Sequence, residues 1–185
     1  MRVDLTNSAA VAGALTYIDS LIRLDVLVKV EDAPSTFTMA WQITYFLIVE
    51  EILFYTFHRL LHHQKLYRFH KTHHEYKNTV CLSFVYSSPL EHILNLMASG
   101  LAYKNISRFY PVHIYTVIIW IMYRVLEGMD GHSGYDFPWH VTHLIPFSAG
   151  GRYHSFHHSR NVGNFGGVLH IFDTLFGTNV EWRNI

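Results

Sequence analysis

HRLLHHQKLYRFHKTHHEY, residues 58–76, follows an apolar run over residues 37–57 that is interrupted by Glu50 and Glu51. On a helix, side chains at i, i+3 and i+4 project from one face. His58 and His62 therefore share a face, as do His70, His73 and His74, and the second spacing returns at His154, His157 and His158. Each neutral imidazole offers one lone pair, so eight rings supply two ions with about four protein ligands each and leave positions open. Taken singly, such histidines are ordinarily solvated surface residues or part of a storage or structural zinc site. Three sets at ligand spacing beside an apolar run point instead to a metal centre, because buried polar rings are costly without a partner.

The chain has 185 residues, enough for one domain, and balanced formal charge, which excludes the basic stripe that binds nucleic acid. Half of it is hydrophobic and only 15% is charged, below the quarter of an ordinary soluble domain. Cys81 is the single cysteine, so neither a disulfide framework nor a thiolate metal site is available. Of fifteen histidines, twelve fall within residues 58–74 and 132–158.

Residues 1–33 lack the pattern of a cleaved signal and read as an amphipathic or weakly spanning segment. After Pro34, Ser35 or Thr36 is placed to cap a helix that reaches the first histidine box, with about the 20 residues that a bilayer requires. Residues 79–103, interrupted by Pro89, Glu91, His92 and Asn95, predict a broken or re-entrant segment. Residues 110–126 predict a further span. Two crossings between the histidine clusters return them to one side. That side carries Arg59, Lys65, Arg68, Lys71, Lys77, Arg152 and Arg160, an excess that marks the cytoplasm.

From residue 34 to 178 the chain resembles the sterol desaturase and fatty acid hydroxylase superfamily of membrane di-iron enzymes. HRLLHH (58–63), LYRFHKTHHEY (66–76), HSGYDFPW (132–139), HSFHH (154–158), NFG (164–166) and FGT (176–178) stand in that family's order. HSGYDFPW is most similar to the sterol-acting branch, the C-4 methylsterol monooxygenases and cholesterol 25-hydroxylases. The resemblance implies an all-α integral-membrane bundle whose cytoplasmic, histidine-rich cap holds a dimetal site, with residues 34–185 as the catalytic domain. It places metal-ligand roles on His58, His62, His70, His73, His74, His132, His154, His157 and His158. It also implies two iron ions (zinc in a purified form), O2, and electrons from NAD(P)H through a separate reductase and b-type cytochrome. The substrate would be a lipid, a sterol by preference, in the endoplasmic reticulum or, for a bacterial source, the inner membrane.

His63, Glu75, Glu91, His92, Asp136, His140 and His143 form a second group, placed by sequence to orient ligand rings or line the approach to them. Alternatives remain: a fatty acid or sphingolipid hydroxylase or desaturase, a zinc-dependent membrane hydrolase using the same rings around a redox-silent ion, or an inactive lipid-binding relative.

Overall fold

The computed structural model describes residues 29–139 and 144–180. These form five α-helices: α1 (Thr36–Leu61), α2 (Pro89–Ser107), α3 (Ile114–Gly131), α4 (Gly150–Arg160) and α5 (Ile171–Leu175). Short 3-10 turns at Tyr67–Phe69, His73–Glu75 and Cys81–Val85 carry the chain from α1 to α2. Among the described residues β structure is confined to isolated bridge residues, among them the pair Ser148 and Leu169, and the fold is all-α as expected.

The Ser35 hydroxyl starts α1 by accepting the Thr38 backbone N–H at 3.1 Å, satisfying a donor that the first turn leaves open. At 26 residues, α1 is the one helix among those described that is long and apolar enough to cross a bilayer by length and composition. The segment predicted as broken or re-entrant over residues 79–103 is a 3-10 turn followed by α2, which begins at Pro89, where a missing N–H costs no helical bond. The third predicted span starts later, at Ile114, beyond Pro111, and runs on through Arg124, Glu127 and Asp130. Those charges make α3 less apolar than the 110–126 reading implied, so the two additional crossings are not met by composition alone. Both helices nevertheless turn apolar side chains outward at helical spacing, Ile93, Met97 and Leu101 on α2 and Ile118, Met122 and Leu126 on α3. With α1, these stripes are consistent with a membrane helical bundle.

The chain divides into two compact units, one running to Glu50 and then over Pro89–Tyr123, the other Glu51–Ser88 and from Arg124 onward. The first is built around Phe46, Ala102, Tyr103, Ile106, Val112 and Trp120. Its buried Gln42 donates to the Pro111 carbonyl at 2.9 Å and accepts from the Thr116 hydroxyl at 3.2 Å, so the amide is satisfied rather than stranded. His113, also buried, bonds the Lys29 carbonyl at 3.0 Å and is a structural histidine.

The second unit contains every histidine of the three boxes. Gly151 seats α4 in it, since a Cβ there would collide with the backbone oxygens of Tyr135 and Asp130, the latter at 2.7 Å. Without that glycine the helix could not approach the 130–135 backbone so closely.

Candidate metal centre

Nine imidazoles of the second unit meet in two adjoining groups, each with its ligand nitrogens all within 4.8 Å of one another. His58, His62, His70, His74 and His157 form one group; His73, His132, His154 and His158 form the other. All are buried except His62, which is partly so. The boxes do not map one to a group. In both H-x-x-H-H boxes the i and i+4 rings stay together while the i+3 ring joins the other group, so the neighbours His73 and His74, and His157 and His158, part company. A rotation of about 100° per residue produces that divergence on α4, and the tight turns around residues 67–75 produce it in the second box. The groups touch where the His74 and His158 rings stack at 4.5 Å.

Backbone carbonyls fix four of the rings. The Nδ1–H of His58 donates to Phe165 O at 2.8 Å, that of His73 to Tyr86 O at 3.1 Å, that of His132 to Gly128 O at 2.8 Å, and that of His157 to Gly163 O at 2.6 Å. A carbonyl only accepts, so Nδ1 carries the hydrogen and the neutral ring is left with a bare Nε2. In the four-histidine group the Nε2 atoms close a ring, with His73–His132 and His132–His154 at 3.1 Å, His154–His158 at 3.2 Å and His158–His73 at 3.0 Å. Protons on His154 and His158 Nε2 could bridge two of these edges. They would leave bare lone pairs facing each other between His73 and His132, and two N–H groups facing each other between His154 and His158. One cation at the centre satisfies all four. Metal–imidazole bonds of about 2.0–2.1 Å separate two ligands by about 2.9 Å at a right angle and about 3.4 Å at a tetrahedral one, which brackets these distances.

In the five-histidine group, His70 and His74 Nε2 lie 3.0 Å apart, while the buried Nε2 atoms of His58, His62 and His157 have no hydrogen-bond partner. Buried acceptors left in this way are rare unless a ligand completes them. Electrostatics points the same way. Burial first, then the neighbouring rings, lowers the pKa of His62, His74 and His132 to about 3 each. The same causes hold His70, His154, His157 and His158 well below the ordinary imidazole value. At neutral pH these rings keep their lone pairs for a metal rather than a proton.

The fatty acid hydroxylase family profile matches residues 43–178. The chain belongs to the fatty acid hydroxylase family. Similar members include methylsterol monooxygenase erg25B of Aspergillus fumigatus, 37% identical over 78% of this chain and 50% of that protein. Others are the C-4 methylsterol oxidase erg25 of Schizosaccharomyces pombe, 37% identical over 81% and 51%, and methylsterol monooxygenase 1 of Danio rerio, 36% identical over 74% and 46%. The chain thus spans about half the length of the curated relatives that it matches. No solved structure matches it.

Of the second group of residues expected from the sequence, those that the structure describes lie outside the two histidine groups. His63 is exposed, its Nδ1 accepting from Lys65 N–H at 3.4 Å. Glu75 is exposed and accepts from the Tyr86 hydroxyl at 2.9 Å. Asp136 is exposed beyond the end of α3, Glu91 and His92 lie on α2 in the first unit, and His140 and His143 fall outside the described residues. Sequence reasoning missed three buried residues that surround the site. Glu51, on α1, accepts the backbone N–H groups of Gly167 at 2.7 Å and Val168 at 3.0 Å. Asp173, wholly buried, accepts from Phe165 N–H at 2.8 Å, Gly166 N–H at 2.6 Å and the Thr178 hydroxyl at 2.7 Å. Tyr153 is likewise wholly buried. Burial and then Asp173 push its phenol well above its usual pKa, so it stays protonated. The NFG and FGT stretches at residues 164–166 and 176–178 were the one available signal.

Proposed function

We propose that this chain is a metal-dependent lipid oxygenase whose two histidine groups hold a pair of iron ions, and that its substrate is a sterol oxidised at a methyl or side-chain carbon. The observation that carries the reading is the closed ring of four Nε2 atoms beside a second group of unpartnered Nε2 atoms, an arrangement that could hold two cations. Iron bound there would supply the oxygen activation that side-chain acids and bases cannot. The protein's own part is to keep the rings neutral by burial, to fix their tautomers through four carbonyls, and to keep water from the centre. The sterol assignment rests on relatives named methylsterol monooxygenases and oxidases.

Electrons would come from NAD(P)H through a separate reductase and a b-type cytochrome. Arg59, Lys65, Arg68, Lys71, Lys77, Arg152 and Arg160 are all exposed on the segments that carry the histidines. That charge favours a cytoplasm-facing site and an acidic electron donor, on the endoplasmic reticulum or, in a bacterium, the inner membrane.

The test is elemental analysis of purified protein followed by turnover of a 4-methylsterol with 18O2 and reductant. Two irons per chain and 18O in the sterol product are expected. An iron-loaded, reduced protein that oxidises no sterol would overturn the substrate, and activity supported equally by zinc without O2 would replace the oxygenase with a hydrolase.

A further inference from the structure

The two histidine groups rest on different scaffolds, and one scaffold leads to carboxylates that have no other evident use. His58 donates to the Phe165 carbonyl at 2.8 Å. The N–H of that same peptide unit belongs to Gly166 and donates to Asp173 Oδ2 at 2.6 Å. Carboxylate, peptide, imidazole and empty Nε2 thus stand in one line, as in the carboxylate–histidine–metal arrangement that raises ligand basicity, with a peptide interposed. Hydrogen bonds in series polarise one another, and in a buried setting that effect is least screened. The other Asp173 oxygen takes Phe165 N–H and the Thr178 hydroxyl. His157 hangs from the same stretch through Gly163 O at 2.6 Å, and the N–H of that peptide, on Asn164, donates to Thr178 O at 2.9 Å. Glu51 secures the next two peptides through Gly167 and Val168.

Space leaves the loop no alternative course. Asn164 is wholly buried with φ of 54° and pairs through its side chain with both backbone groups of Val180, at 2.7 Å and 3.2 Å. A Cβ on Gly166 would meet the Leu169 carbonyl and come within 3.0 Å of Asp173 Oδ2. The carbonyls that fix the rings of the four-histidine group, Tyr86 O and Gly128 O, lie on other segments.

We propose that Asp173 and Glu51 are positioning residues for the five-histidine metal position alone, acting through the backbone of residues 163–168 to aim His58 and His157, with Asp173 also polarising the Phe165–Gly166 peptide behind His58. The inference rests on the reading of the nine rings as a two-metal centre.

Metal-free protein titrated with cobalt(II), read by visible d–d absorbance and by cobalt retained after desalting, tests it without any turnover. Wild-type protein should retain two ions per chain. Asp173→Asn, which puts an N–H2 where an acceptor stood, should weaken one ion by about ten- to a hundredfold, the range for losing a partner of a ligand ring, and alter one set of bands only. Introducing Asp173→Asn into His58→Ala should then weaken the five-histidine position little further, whereas combining it with His154→Ala should lower retention at both positions, because residues acting on one site are not additive. Glu51→Gln, which keeps one of two acceptor oxygens, should show the same selectivity at smaller size. Should Asp173→Asn lack the wild-type helical circular dichroism, Glu51→Gln decides by the same criterion. Retention of both ions at wild-type affinity in the folded variants, equal loss of both, or loss from the four-histidine position overturns the proposal. A wild-type chain that binds no cobalt removes the two-metal reading with it. Selective loss alongside a failed sterol assay would leave the proposal standing and remove only the substrate.

Discussion

In the four-histidine group the rings come from a 3-10 turn, the residue after α3 and α4, and their nitrogens close at 3.0–3.2 Å with no ring to spare. The five-histidine group draws on α1, the 62–74 segment and α4, includes the partly exposed His62, and depends on a loop more than a hundred residues from its first ligand. The first is compact and closed; the second is larger and externally braced. Equal numbers of metal ions can therefore be held with unequal tolerance to damage.

The largest break should come from His154→Ala. It leaves three rings where four closed the site, so lipid oxidation should fall to background and metal content should drop by one ion per chain. His58→Ala leaves four rings in its group and should retain measurably more metal at that position. Equal loss in the two variants, by elemental analysis, would erase the distinction between them.

Acid acts on both groups through the same rings. Folded-state pKa values of about 3 at His62, His74 and His132 lie below the value of about 6.5 for an unfolded imidazole. Between those limits the unfolded chain binds more protons, so stability is full above about pH 6.5 and falls as pH drops through that value. At pH 5 each ring costs about 2 kcal/mol. Thermal unfolding of chelator-treated protein between pH 7.5 and 5 should show a falling midpoint, and a flat profile would contradict the buried-neutral assignment. In metal-loaded protein the same protons compete for the lone pairs, so acid should release metal.

A smaller and more selective effect is expected from Gly151→Ala. The added methyl presses on the backbone oxygens of Asp130 and Tyr135, at a cost of about 1–3 kcal/mol. It displaces α4 from the segment that carries His132, so cobalt affinity should fall more in the four-histidine group. The smallest effect should be that of Ser35→Ala, which removes the α1 cap at about 1 kcal/mol. Its melting temperature should fall while metal stoichiometry stays at the wild-type value; a change in stoichiometry would tie the far end of α1 to the site.

Much of the candidate metal centre was legible in the sequence because i, i+4 spacing is a local property. His58 with His62, His70 with His74, and His154 with His158 do fall together. The allotment of His73 and His157 was not legible, since it depends on how far each box winds and on what lies across from it. Helix α1 was legible from its apolar length and its Ser35 cap, and the break expected in the second segment falls where Pro89 starts α2. Glu50 and Glu51 read as blemishes in a membrane span. For Glu51 the reason is a pair of backbone N–H groups that come 116 and 117 residues later in the chain. For Asp173 the one sign was the NFG and FGT stretches that carry its partners, because a carboxylate that binds backbone and hydroxyl groups needs no pattern of its own.

The loop that holds His58 and His157 has a consequence for biosynthesis. The last of the nine rings leaves the ribosome at His158, yet Gly163 O and Phe165 O are not fastened until Asp173 and Thr178 have followed. A nascent chain stopped after Arg160 would own all nine of these imidazoles and still lack the two carbonyls that aim His58 and His157. Metal capture at that position would thereby wait on Asp173 and Thr178, and cleavage between Arg160 and Asp173 would reach it without removing any of the nine rings.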